Sequence, residues 1–264
     1  MPSTSGLPKR GVMRRESLHH SVAQDIGRRI LKGEFAPGDL LPNEAECGEA
    51  YGVSRTAVRE AVKMLMAKGL IVSRPKIGSR VQPKENWNLL DRDVLAWYCA
   101  ATNYWHFLAS MQQVRRILEP EAAALAAANH TPARLGAIEA ALAGMREAAA
   151  DASLSAWNAA DVRFHLAVLG AAGNDLLVPL GFLIESALGN MFDYTTRHAR
   201  DLRPALKRHE DILAAIRRRR PEAARRAVCQ LLNDTNKVIG LRGGGAKRVS
   251  GGKKTKGGKR NVRN

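Results

Sequence analysis

Cysteine is scarce in this chain of 264 residues: Cys47, Cys99 and Cys229 are odd in number and far apart, and no Cys-x-x-Cys pair occurs. That pattern argues against a disulfide framework or a thiolate zinc site and fits a reducing compartment. No apolar run reaches the roughly 20 residues needed to cross a bilayer. The basic N-terminus is not followed by the apolar segment of a signal peptide, so a cytoplasmic protein without membrane contact is expected. Also missing are a metalloprotease motif, a nucleophile elbow, a phosphate-binding glycine loop and a dinucleotide-binding fingerprint. Acid is in deficit: 42 Lys and Arg stand against 25 Asp and Glu, a formal net charge of +17. Such a chain is drawn to polyanions, nucleic acid first among them, although a basic tail on an unrelated domain would give the same balance.

What is present divides the chain. An apolar fraction of 45% is ordinary for a globular protein, and the length suits two domains of roughly 100–200 residues each. Residues 1–17 read as a flexible basic arm, and 241–264, low in complexity and without acid, as a disordered tail that attracts phosphates or merely solubilises. Between them the expectation is a DNA-binding domain at 18–82, a linker at 83–90 and an all-helical domain at 91–240.

The most informative stretch is Tyr51 to Leu70. Gly52 supplies a permissive turn, and Ser54 can cap a helix with its hydroxyl. Val58, Ala61, Val62 and Leu65 then recur at helical spacing as a buried face. Arg55, Arg59 and Lys63 stand four residues apart on another face, with Thr56 beside them, as a helix entering the major groove requires. Upstream, a first helix is expected from His20 to Lys32, with Val22, Ile26 and Ile30 buried, then an irregular connection over 35–42. A short helix follows over Asn43–Ala50, with Pro42 suited to its first turn. Downstream, Leu70–Ser73 and Ser79–Val81 flank Arg74-Pro-Lys-Ile-Gly78 in the pattern of a hairpin. The fold class read from this order is mainly α: an N-terminal winged helix-turn-helix of three helices and a small β hairpin, then an all-α antiparallel helical bundle.

The string Ile30-Leu-Lys-Gly33, Pro37-Gly-Asp-Leu-Leu-Pro42, Glu44, Tyr51-Gly-Val-Ser-Arg-Thr-Ala-Val-Arg-Glu-Ala61, Leu65, Gly69-Leu70, Gly78 and Val81 resembles the N-terminal domain of the GntR family of bacterial transcription regulators. The resemblance implies that Ser54, Arg55, Thr56 and Arg59 touch a double-stranded DNA operator. It also brings the wing, Arg74, Lys76 and Gly78 included, to the minor groove or backbone. One position departs from it: Ala45 stands where many members carry a DNA-contacting Arg after the Glu of this motif. The junction Trp87-Asn-Leu-Leu-Asp-Arg-Asp-Val-Leu-Ala-Trp97 resembles that of GntR regulators of sugar-acid use, galactonate-type repressors among them.

The second half offers no strand. Helices are expected over about Asp91–Ala101, Tyr104–Asn129, Pro132–Asp151, Ser155–Ala172, Asp175–Tyr194, Ala205–Arg218 and Pro221–Ile239. In Asp161-Val-Arg-Phe-His165 the carboxylate and imidazole lie one turn apart on one face. They can share a divalent metal with His209 as a third ligand, or form a surface ion pair. Asp161-x-x-Phe164-His165-x-x-Val168, Ala171-Ala-Gly-Asn174 and Ala205-Leu-x-x-His209-x-x-Ile212-x-x-Ala215-Ile216 resemble the FCD effector domain of FadR-type GntR regulators. In its metal-binding members the matching Asp and two His hold zinc or a similar ion. The place of a further His is Leu231 here, which leaves three alternatives: a site three-coordinate from protein, one that recruits Asn233, Asp234 or a neighbour, or a weak one. Arg115 matches an Arg that grips the carboxylate of an effector in this family, while Arg116 reads as a surface charge. Arg197, His198 and Arg200 read as a solvated basic helix end or as further pocket residues.

These readings converge on a ligand-responsive repressor that binds a palindromic operator as a homodimer and answers to a small carboxylate or sugar acid. It is not expected to be an enzyme. A metal-dependent enzyme acting on a sugar acid leaves the winged helix unexplained, and a nonspecific architectural DNA-binding protein leaves the helical domain idle.

Overall fold

The structure, a computed structural model, describes residues 18–74, 77–186, 188–189, 201–238 and 240. The arm at 1–17, Lys76 of the wing, Arg197, His198, Arg200 and the tail at 241–264 lie outside the described residues. The chain groups into two compact units, divided between Met111 and Gln112, with 175–190 belonging to the first.

In the first unit, α1 (Leu18–Lys32) buries Val22, Ala23, Ile26 and Ile30, the i, i+4 stripe of an amphipathic helix. The second helix, α2 (Glu44–Tyr51), starts from an Asn43 cap. The Asn43 Oδ1 accepts from the Ala45 and Glu46 amides, and the Glu46 carboxylate accepts from the Asn43 amide. Pro42 therefore precedes the cap rather than occupying the first turn, because the reciprocal capping box satisfies two exposed amides at once. Gly52, at φ +62, ends α2, and Ser54 caps α3 (Arg55–Ala67) by accepting from the Ala57 amide at 3.2 Å. Val58, Ala61 and Leu65 are buried, while Val62 is only half-buried.

Gly69 has φ +71, and a Cβ on it would lie 2.1 Å from the Asn86 carbonyl oxygen, so no other residue fits. The hairpin follows as β1 (Ile71–Arg74) and β2 (Gly78–Val81), antiparallel, with Ile71 opposite Val81 and Arg74 opposite Gly78. The connection read as irregular adds to this sheet. Leu40 bridges Arg80, and the Leu41 amide donates to the Ser79 carbonyl at 2.8 Å. Three residues without alternation carry no readable strand signal, yet they cover the edge that β2 would otherwise expose.

The expected linker at 83–90 is packed. Residues Lys84–Asn86 form a 3-10 turn, Trp87 is buried, and its indole Nε1 donates to the Gln82 carbonyl at 3.0 Å. Lys68, at the end of α3 and 8% exposed, reaches Asp91 at 2.7 Å and Asp93 at 2.8 Å. Burial would raise the Asp91 carboxyl, but Lys68 and the amides it caps outweigh that and hold it below its ordinary value. From that cap α4 (Arg92–Ala101) lays Val94 and Trp97 into the same core as α1 and α3. Contact with α1 is possible because residue 27 is Gly: a Cβ there would sit 2.5 Å from the Trp97 ring. Gly27→Ala is expected to destabilise the protein by about 1–3 kcal/mol through overpacking, measured as a lower urea midpoint at unchanged slope.

In the second unit, residues of α5 (Tyr104–Asn129) from Gln112 onward join α6 (Pro132–Ala150), α7 (Leu154–Ala171), α8 (Arg203–Arg217) and α9 (Pro221–Val238). Thr131 caps α6 with Pro132 in its first turn, and Ser153 caps α7. The core runs through Ile138, Leu142, Met145, Trp157, Phe164, Ile212, Ile216, Val228 and Leu232. The helix expected over Asp175–Tyr194 differs among the described residues: 175–180 form turns and only 181–186 are helical before positions outside the described residues begin. Pro179 explains the delay, since it lacks the amide a helix needs and disfavours helical backbone at Val178. No helix of the described residues is long and apolar enough to cross a membrane.

Candidate DNA-reading surface and buried donor cluster

On α3 the cap, the buried stripe and the cationic face separate as helical periodicity demands. Ser54, Arg55, Thr56, Arg59 and Lys63 are all exposed. Among the described residues Arg55 has no ion pair, whereas the Nε of Arg59 donates to Glu44 Oε2 at 2.8 Å and Lys63 pairs with Glu60 at 2.8 Å. Ala45, one residue beyond Glu44, is exposed on the first turn of α2. In the wing Arg74 and Gly78 are exposed, and Gly78 has φ +95, which a side chain would strain.

The second constellation lies inside the helical unit. Asp161 and His165 point inward from α7 and His209 from α8, with exposures of 4%, 4% and 2%, so they are not a surface ion pair. The His209 Nε2 lies 2.8 Å from Asp161 Oδ1, the His165 Nε2 3.8 Å from the same oxygen, and the two Nε2 atoms are 3.5 Å apart. One donor atom from each residue falls within 4.8 Å of the others, close enough to hold a metal ion. The Phe164 and Trp157 rings stand edge-on to His209 at 4.9 and 6.3 Å between centroids and wall this side with apolar surface.

The outer contacts decide which ring nitrogens face Asp161. His165 Nδ1 lies 2.9 Å from Glu119 Oε2, and His209 Nδ1 lies 2.8 Å from the Ala205 carbonyl oxygen. Both partners accept only, so each Nδ1 donates outward, and each ring turns its Nε2 toward Asp161. Two imidazole nitrogens and a carboxylate oxygen thus converge in a buried space, the donor types a divalent ion takes. Fixing ligand rings from outside through a carboxylate or a carbonyl is the usual second layer of a metal site. The donor chemistry therefore fits a divalent ion.

Arg115 and Glu119, one turn apart on α5, complete the cluster, each 2% exposed. The Arg115 Nε lies 2.5 Å from Glu119 Oε1 and its Nη2 3.5 Å from His165 Nε2. Burial would raise the Glu119 carboxyl, but Arg115 and His165 outweigh it and bring it to about 2. Asp161 is likewise raised by burial yet lowered on balance by His165, His209 and Arg115. Arg116 faces outward and donates to Asn233 at 2.7 Å. Asp234 is engaged by Arg208 and Lys237, and Leu231 is buried in the apolar core. Neither candidate substitute for the further ligand is thus free. Glu119 escaped the sequence reading, because an Arg-Glu pair at i, i+4 looks like any exposed helix pair.

Residues 18–81 match the family described as bacterial regulatory proteins, gntR family, and residues 110–234 match the FCD domain. The HTH-type transcriptional regulator YieP of Escherichia coli is 36% identical over 225 residues, 84% of this chain and 95% of that one. The galactonate operon transcriptional repressor of the same organism is 34% identical over 215 residues, 81% and 93% of the two chains. A solved structure of Listeria monocytogenes Lar, 18% identical, superposes with a TM-score of 0.53 over 87% of this chain and all of its own, a likeness of fold alone.

Proposed function

The chain belongs to the GntR family of bacterial regulatory proteins and carries an FCD domain, and on that premise we propose that it is a cytoplasmic, ligand-responsive repressor of genes for catabolism of a sugar acid or another small carboxylate. The galactonate repressor among its relatives supports the effector class. The observation that carries the regulatory half is the buried set Asp161, His165 and His209, whose ligand atoms converge within 4.8 Å of one another.

In this reading Asp161 and the two Nε2 atoms hold a divalent ion, zinc by the mix of imidazole and carboxylate donors. An ion held there would offer a Lewis-acidic position to the effector's carboxylate. Glu119 fixes the His165 tautomer, and Arg115, held by Glu119, places a guanidinium beside the donors to pair with the same carboxylate. Because all these groups are buried, an effector is admitted only when the surrounding helices part. That gives it different affinities for two states of the protein, the requirement for any allosteric response. A homodimer sets two α3 helices on successive half-sites of a palindromic operator. Ser54, Arg55, Thr56 and Arg59 contact the DNA, Lys63 and the wing residues Arg74, Lys76 and Gly78 its backbone or minor groove.

The test is operator binding with candidate sugar acids added. The expected result is one acid that weakens binding and is recovered chemically unchanged, whereas turnover of that acid would make the protein an enzyme. Glu119→Ala is expected to lower metal affinity about 10–100-fold, measured by competition with a chromogenic chelator. An affinity equal to wild type would remove Glu119 from the site.

A further inference from the structure

An acidic side chain on a surface meant for DNA needs a reason. Glu44 begins α2, but the cap there is served by Asn43 and Glu46, which leaves its own carboxylate available. It crosses to α3 and accepts from the Nε of Arg59 at 2.8 Å. Both side chains are substantially exposed, at 65% for Arg59 and 42% for Glu44, and pairs of that kind add little to stability. The position after Glu44 is Ala45, so no adjacent cation on α2 competes for the carboxylate. The neighbouring pair, Lys63 with Glu60, lies within one helix and ties nothing across the turn.

We propose that Glu44 is a positioning residue that sets the specificity of DNA reading: by taking the Nε edge of Arg59 it immobilises the guanidinium and leaves the Nη1 and Nη2 fork for a base edge. This rests on the reading of α3 as the DNA-contacting helix. An arginine fork matches the O6 and N7 acceptors of guanine, and its planar geometry rewards being held in one orientation. An unheld arginine must be ordered at the moment of binding, which costs about two- to tenfold in affinity, and it donates to a phosphate as readily as to a base. Glu44 also repels DNA phosphates, so it trades nonspecific affinity for discrimination.

The experiment uses the full chain, a duplex selected by the wild-type protein from a random pool, and a scrambled duplex of equal length, with affinities from fluorescence anisotropy at fixed salt. Glu44→Gln and Glu44→Ala are expected to bind the scrambled duplex more tightly and the selected duplex no better. The ratio of the two affinities then falls about two- to tenfold, and the fall disappears in an Arg59→Ala background. Equal tightening on both duplexes, or a Glu44 effect of the same size without Arg59, would show a charge acting alone and overturn the proposal. Full discrimination in Arg59→Ala itself would overturn the underlying assignment of α3. Loss of discrimination in Arg59→Ala with none in the Glu44 variants would overturn only the role of Glu44.

Discussion

His209→Ala is expected to abolish any stabilisation of the protein by zinc, the largest thermal effect expected from a single side chain here. A ligand that binds only the folded state stabilises it by about 2.7 kcal/mol at a concentration of 100 Kd. For a folded unit of this size that raises Tm by about 5–10 °C. His209 loses most on truncation because its Nε2 is the atom nearest Asp161 Oδ1, at 2.8 Å, and its ring is pinned by the Ala205 carbonyl. Asp161→Asn is the companion variant: it keeps the shape but removes the charge that balances a cation, and the zinc-dependent rise should shrink sharply there too. Differential scanning fluorimetry with zinc and with a chelator gives the shift, and elemental analysis of the purified proteins gives the stoichiometry. A His209→Ala protein that retains wild-type zinc content, or a wild-type Tm that zinc leaves unmoved, would refute the metal centre.

The cluster of Asp161, His165 and His209 is half legible in the sequence. Asp161 and His165 are four residues apart on one helix, and helical geometry alone puts them on one face. Whether that face turns to solvent or to the core depends on α5, α6 and α8 packing around α7, which no local pattern encodes. Glu119 was hidden for the same reason: its partner His165 lies on another helix. The winged helix was more legible because its signals are local, with Gly52 and Gly69 at positive φ and Ser54 at a cap. Contacts that cross long stretches of chain leave no such local signal. Lys68 reaches Asp91 and Asp93, Leu40 bridges Arg80, and Trp97 packs on Gly27; each pairs residues whose own neighbourhoods predict nothing about the other. Pro179 is the converse, a local signal that the apolar run around it masked.

The double change Arg55→Ala with Arg59→Ala is expected to erase the preference for operator over random DNA. Arg55 is the first residue of α3 after its cap, exposed and without an ion pair among the described residues, and the N-terminal turn of a reading helix is the part that meets base edges. A lost arginine contact to guanine costs about 1–3 kcal/mol, or roughly 5–150-fold. The two changes together can exceed a thousandfold if their effects add, and contacts one turn apart on one helix need not add fully. Lys63→Ala is the control. A lysine on a phosphate weakens all sequences alike and lowers the slope of log affinity against log salt by about one. The nine Lys and Arg of residues 242–263 make a second control, because cutting the chain after Gly240 should cost affinity on operator and random DNA alike if they only neutralise phosphates. The ratio of affinities, measured at two salt concentrations, separates these effects. A ratio that survives the double arginine change and falls on removal of the tail would transfer sequence reading away from α3.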